Sequence, residues 1–247
     1  VIIMNPSDGS ILAMATYPDY NLNDPYTPNE WYSEGWDSLS QQEQTNKLYS
    51  MWRNRAVLDT YEPGSTFKVI TASIGLEENV VETDTPNDFY CSGHETVADR
   101  RINCSNLSGH GSQTLRNALE NSCNPALIQL GQRIGVDKFY DYIEAFGLFD
   151  KTGVDLPSEG TSSFWSKENV GPVELATMSF GQRFTITPLQ LITAISSVAN
   201  DGKLVTPHVV KQIENPETGT ITNVDTKEVR QVISEDTADK MKSIMQS

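Results

Sequence analysis

The sequence predicts an α+β domain, on three observations. Strand-like runs stand near both ends of the 247 residues, the middle carries helical periodicity, and no low-complexity tract or Pro/Ser-rich linker divides the chain. A hydrophobic content of 37% with 9% aromatics supports a packed core rather than disorder. The 16 Gly and 12 Pro follow no period, which excludes collagen-like and repeat architectures.

Taken in order, residues 1–4 are apolar, Asn5-Pro6-Ser7-Asp8-Gly9 is turn chemistry, and 10–16 resume the apolar run. That is a β-hairpin pattern. A polar, aromatic excursion with Pro18, Pro25 and Pro28 fills 17–51 and is expected to be partly helical after Pro28. Pro63-Gly64 opens a helix whose buried side is Phe67, Ile70, Ala72, Ile74 and Leu76. Residues 89–111 read as irregular. A helix over 114–120 leads into Asn121-Ser122-Cys123-Asn124, and Pro125 suits the first turn of the next helix. Another helix over 137–146 stops at Gly147. Thr187-Pro188-Leu189-Gln190 reads as a capping box with proline at the first helical position. Residues 203–213 alternate as a strand, 220–224 return, and a last helix is expected from Ser234 to Ser247.

The formal charge of −15 opposes phosphate backbones and excludes nucleic-acid binding; solubility accounts for it. No apolar run approaches the ~20 residues that span a bilayer. The chain starts inside an apolar run and ends inside a helical pattern, so an anchor or address is expected outside it.

Two short motifs carry the chemistry. Ser65-Thr66-Phe67-Lys68 puts a hydroxyl and an amine on one helical face. Serine needs a base to become a nucleophile, and a desolvated lysine supplies one. A helix N-terminus also offers backbone N–H groups to a developing oxyanion. Ser122-Cys123-Asn124 sits on a loop between helices, where polar groups can enter a cleft. Chance alone supplies about one match to each pattern in this composition. Context and order distinguish them: Glu62-Pro63-Gly64 fixes the entry to the first, and the second follows it in the chain.

With Asn5-Pro6-Ser7-Asp8-Gly9 through Ala15, Thr152-Gly153-Val154-Asp155-Leu156-Pro157, Ser179-Phe180-Gly181-Gln182 and Thr187-Pro188-Leu189-Gln190, the chain resembles the transpeptidase domain of class B penicillin-binding proteins. The resemblance runs from near residue 1 to near residue 200. It implies a penicillin-binding/β-lactamase-type fold, a helical lobe against an antiparallel sheet, in one domain over 1–247. It implies that Ser65 attacks the carbonyl between the two terminal D-alanines of a stem peptide, with Lys68 taking the Ser65 proton. Ser122 would relay a proton to the departing D-alanine, Asn124 would bind the substrate amide and Lys68, and no cofactor is needed for catalysis. Partners implied are stem peptides ending in D-Ala-D-Ala, β-lactams, and membrane cell-wall synthesis proteins. The location implied is the extracytoplasmic face of the membrane, with an N-terminal anchor absent here. The family's third element, Lys-Ser/Thr-Gly on an edge strand, has no match in place. Lys151-Thr152-Gly153 follows a helix and a turn, so the third motif and the last strands are expected beyond Ser247.

Rival readings are a β-lactam-hydrolysing or β-lactam-sensing acyl-serine protein, and a non-catalytic scaffold. Hydrolysis wants a water-activating base; Glu174 reads as a surface helix residue instead. Cys91, His94, Asp99, Cys104 and His110 crowd into twenty residues. Zinc, a Cys91–Cys104 disulfide and free thiols all fit. Similarity to clostridial members of the family favours a structural zinc on Cys91, Asp99, Cys104 and His110, with His94 as substitute for Asp99. Cys123 is expected to pack away from the cleft without acting as a nucleophile, and His208 to be structural.

Overall fold

A computed structural model describes residues 1–246. The N-terminal hairpin pairs β1 (Ile2–Met4) with β2 (Ile11–Met14), antiparallel, with a register shift after Ile3. The excursion that follows holds α1 (Gln41–Trp52), capped by the Ser40–Glu43 box, and the short α2 (Arg55–Leu58). Met51 is the only buried residue of α1, so little apolar burial holds this region down.

The centre is α3 (Lys68–Glu77), buried from Lys68 through Leu76. A helix apolar all round belongs inside a core. The segment expected to be irregular is instead two nested ribbons: β3 (Phe89–Cys91) pairs with β6 (Gly111–Gln113), while β4 (His94–Val97) pairs with β5 (Arg100–Asn103) between them. The strands are only three or four residues long and largely polar, which hides their period.

Next come α4 (Leu115–Glu120) and α5 (Asn124–Ala145). Gly135, at φ 77°, breaks α5 into the two helices read from the sequence. After α6 (Pro172–Met178), helix α7 (Pro188–Ala199) begins with the predicted Thr187–Gln190 capping box. Pro207 divides the single strand expected over 203–213. Its first part, β7 (Lys203–Val205), pairs with β10 (Glu228–Gln231), and its second, β8 (Gln212–Glu214), pairs with β9 (Ile221–Asn223). The last helix, α8 (Glu235–Met245), buries Thr237, Ala238, Met241 and Ile244; Ser247 lies outside the described residues.

Among the described residues the strands form antiparallel pairs and no larger sheet. The main core joins α3 to α5, α6, α7 and α8, with Phe67 at its aromatic centre against Phe139 and Phe184. A smaller cluster of Ala56, Val57, Val154 and Leu189 lies under the hairpin residues Ile2, Ile11 and Met14.

Candidate active site

Ser65 stands in a 3₁₀ turn (Gly64–Phe67), not in the α-helix expected there. Three residues per turn stacks Ser65 directly over Lys68, the first residue of α3. The turn is fixed from below: the Gly64 N–H donates to the Gly181 carbonyl at 2.8 Å. A Cβ on Gly181, whose φ is +85°, would fall 2.1 Å from the Gly64 oxygen, so only glycine permits this approach. The Ser-Phe-Gly-Gln landmark is thus the seat of the Ser65 turn.

The Ser122 loop owes its shape to how α4 ends. The Ser122 N–H donates to the Leu119 carbonyl at 2.9 Å and the Cys123 N–H to that of Ala118 at 2.8 Å. This is a Schellman end whose left-handed position, at φ 47°, is taken by Ser122 instead of glycine. A serine there costs about 1 kcal/mol, which its side chain and carbonyl offset through Lys68.

Lys68 is 2% exposed. Its Nζ donates to the Ser122 carbonyl at 2.6 Å, the Ser122 Oγ at 2.9 Å and the Asn124 Oδ1 at 2.7 Å. Burial lowers its pKa to about 8, partly opposed by the Cys123 and Cys104 sulfurs. Exposed Ser65, buried Lys68 and half-buried Ser122 line one cavity of about 420 Å³, whose far wall is Ile195, Ile244 and Met245. Glu120 also lines it. The sequence reading did not single out this carboxylate, because its place depends on where α4 ends. Glu174 serves elsewhere, accepting from the Gly171 N–H and pairing with Arg183 at 2.9 Å.

Lys151-Thr152-Gly153 is no strand. The Glu159 carboxylate accepts from the Thr152 N–H, the Thr152 hydroxyl and the Gly153 N–H at 2.7–2.9 Å, so these groups are engaged away from the cavity. The His208 backbone pairs with Gly9 and Ile11 of the hairpin.

The expected metal set is corrected in one member. Cys91, Cys104 and His110 converge with Cys123, all four donor atoms lying within 4.8 Å of one another. Asp99 lies on the turn between β4 and β5, its side chain 85% exposed beside Arg100. His94 faces Ser92 and lies outside the cluster. Cys123 does point into the protein, at 0% exposure, but toward sulfur and imidazole. The available signal was the odd third cysteine. All three are free thiols. Burial pushes Cys123 up to about 12, so without a cation its sulfur stays protonated and non-nucleophilic. At Cys104 burial alone would raise the pKa. Backbone N–H groups of Asn106 and Asn124, with Cys91 and Ser105, bring the net shift down. Asn124 bonds Lys68 on one side and reaches the Asn103 carbonyl at 3.5 Å on the other, so cluster and cavity share a wall.

Comparison with known proteins identifies the family. The family profile "Penicillin binding protein transpeptidase domain" matches residues 1–247. Stage V sporulation protein D of Bacillus subtilis (strain 168) is 39% identical over 247 residues, covering 100% of this chain and 35% of the relative. The D,D-transpeptidase domain of a peptidoglycan glycosyltransferase from Eggerthella lenta superposes with a TM-score of 0.82 at 29% identity, covering 98% of this chain and 59% of that one. Penicillin binding protein 3 of the tubercle Mycobacterium, complexed with aztreonam, gives 0.79 at 25% identity over 98% and 50% of the two chains. The chain therefore spans about a third of the sporulation protein it matches, and it belongs to the penicillin-binding protein transpeptidase family.

Proposed function

We propose that this chain carries the acyl-serine chemistry of a peptidoglycan D,D-transpeptidase. The observation that supports it most is Lys68, buried behind exposed Ser65 and held by three bonds to Ser122 and Asn124. In its neutral form Lys68 takes the Ser65 proton as Oγ attacks the carbonyl between the terminal D-alanines of a stem peptide. Ser122, hydrogen-bonded to Lys68 Nζ, passes a proton to the departing D-alanine nitrogen. The acyl-enzyme is then opened by an amine of a neighbouring stem peptide, which forms the crosslink and restores the Ser65 hydroxyl. Asn124 holds Lys68 and offers its amide to the substrate backbone. A β-lactam enters the same cavity, loses its ring amide to Ser65, and has no leaving group that departs. These substrates place the reaction on the extracytoplasmic face of the membrane, beside membrane-bound cell-wall synthesis partners. Among the described residues no helix is long and apolar enough to cross a membrane.

Incubating the protein, in its natural length, with a fluorescent penicillin tests this. Intact-mass and peptide mapping should place one adduct on Ser65, absent in Ser65→Ala. A folded protein that stays unlabelled would leave the scaffold reading. Rapid loss of the adduct, slowed in Glu120→Gln, would instead favour a hydrolase, since Glu120 shares the cavity.

A second prediction separates strain from chemistry at Ser122. Ser122→Gly and Ser122→Ala should both slow acylation. The glycine variant should melt about 3 °C above the alanine one, because only alanine pays the left-handed cost of about 1 kcal/mol. Equal melting temperatures would remove the strain argument.

We also infer a structural zinc on Cys91, Cys104, His110 and Cys123. Three sulfurs and one imidazole are a tetrahedral zinc set, and donor atoms within 4.8 Å need only small closure around Zn–S bonds of about 2.3 Å. N–H donors already gathered on Cys104 favour its thiolate. A Cys91–Cys104 disulfide would strand Cys123 and His110. When bound, the ion supplies a cross-link between the ribbons and the start of α5; acyl transfer is left to Ser65 and Lys68.

A further inference from the structure

Gln113 ends β6, opposite Phe89 of β3, and is 3% exposed. Its Oε1 accepts from the Asn121 side-chain amide at 3.0 Å. Its own amide nitrogen is buried and, among the described residues, meets no acceptor in hydrogen-bonding geometry. Leaving such a donor unpaired inside a protein is costly, and the orphan requires an explanation. Gln113 is buried on the same face of the β3–β6 pair as Cys91, its partner Asn121 lies two residues before Cys123, and its amide is directed toward the Cys123 sulfur. A thiol sulfur is a weak acceptor, whereas a metal-bound thiolate is a strong one. The orphaned donor is therefore aimed at a cluster sulfur whose acceptor strength rises when a metal binds.

We propose that Gln113 is the outer hydrogen-bond donor that holds the Cys123 thiolate in the metal site and ties it to the loop bearing Ser122. This rests on the zinc reading above. The tie has two ends: the Gln113 amide nitrogen on the Cys123 sulfur, and Oε1 on Asn121, one residue before Ser122. Gln113 is a positioning residue, acting on a ligand without touching metal or substrate. Metal-bound thiolates and imidazoles ordinarily have such partners, whose loss weakens the metal about 10–100-fold.

The test loads the purified protein with cobalt(II) and reads the thiolate-to-cobalt charge-transfer band, then measures zinc affinity by competition with a chromophoric chelator. Gln113→Leu keeps the shape and deletes the donor; Gln113→Met does so with a more adaptable side chain, in case the first does not fold. The expected result is a band of unchanged intensity per cobalt, moved to lower energy because the sulfur lone pair has lost its hydrogen bond. Zinc affinity should fall about 10–100-fold. A merely structural role would not move the band energy. Wild-type affinity and band position in a folded variant would overturn the role of Gln113 and leave the metal site standing. Failure of the wild-type protein to bind either metal would overturn the zinc reading, and this inference with it.

Discussion

Replacing Lys68 by Met should cut the rate of Ser65 acylation by a fluorescent penicillin about 10³-fold, within the range a positioned general base contributes. Methionine fills the same buried channel, so the effect reads chemistry and not a cavity. Removing a buried cation relieves its desolvation, which offsets the three bonds lost at Ser122 and Asn124. The melting temperature should therefore change by no more than about 4 °C. The wild-type pH profile makes the same point. With Lys68 brought by burial to about 8, roughly a tenth of it is neutral at pH 7, and the neutral form is the base. Acylation should rise with pH and level off above about 8. A lysine at its ordinary value would leave the rate still climbing at pH 9. A flat profile from pH 6 to 9, or a Lys68→Met rate within tenfold of wild type, would remove Lys68 from the role of base.

Stripping metal from the protein should lower its melting temperature by about 10 °C. An ion present at a thousandfold excess over its dissociation constant stabilises by about 4 kcal/mol, and a domain of this size loses roughly 2–4 °C per kcal/mol. Acylation should slow in step, because Cys123 lies between Ser122 and Asn124. Readdition of zinc should restore both. Variants test the corrected ligand set: Cys104→Ser should melt low and ignore the chelator, while Asp99→Asn and His94→Ala should respond like wild type. An Asp99 variant that loses zinc would reinstate the set read from sequence. A chelator without effect on the wild-type protein would dismiss the metal.

What the sequence disclosed was local. Ser65 and Lys68 lie three residues apart, and Ser122 and Asn124 two apart, so each pair is placed by one turn of backbone whatever the rest of the chain does. The Thr187–Gln190 cap is legible for the same reason: its hydrogen bonds close within four residues. The ribbons over 89–113 were not legible, because β3 and β6 find each other across twenty residues and each is too short to show a period. The fourth member of the metal cluster was lost with them. Asp99 is the nearer neighbour of Cys104 in the chain, but it sits on a turn that points outward, while Cys123 arrives from the start of another helix. The 3₁₀ geometry at Ser65 likewise depends on Gly181, more than a hundred residues away.

The tip of the N-terminal hairpin has a consequence for how the chain is made. The Ile11 N–H donates to the His208 carbonyl at 2.8 Å and the His208 N–H to the Gly9 carbonyl at 3.0 Å, so the hairpin tip is locked by residues made nearly 200 positions later. At about 5–20 residues per second, synthesis leaves that tip unpaired for roughly 10–40 s. Meanwhile α3 and α5, much closer in sequence, can already form the core that seats Lys68. The contact between the hairpin tip and His208 should thus close after the α3–α5 core. In the nascent chain the hairpin's apolar strand residues, Ile2, Ile3, Ile11 and Leu12, are where a holding chaperone would act.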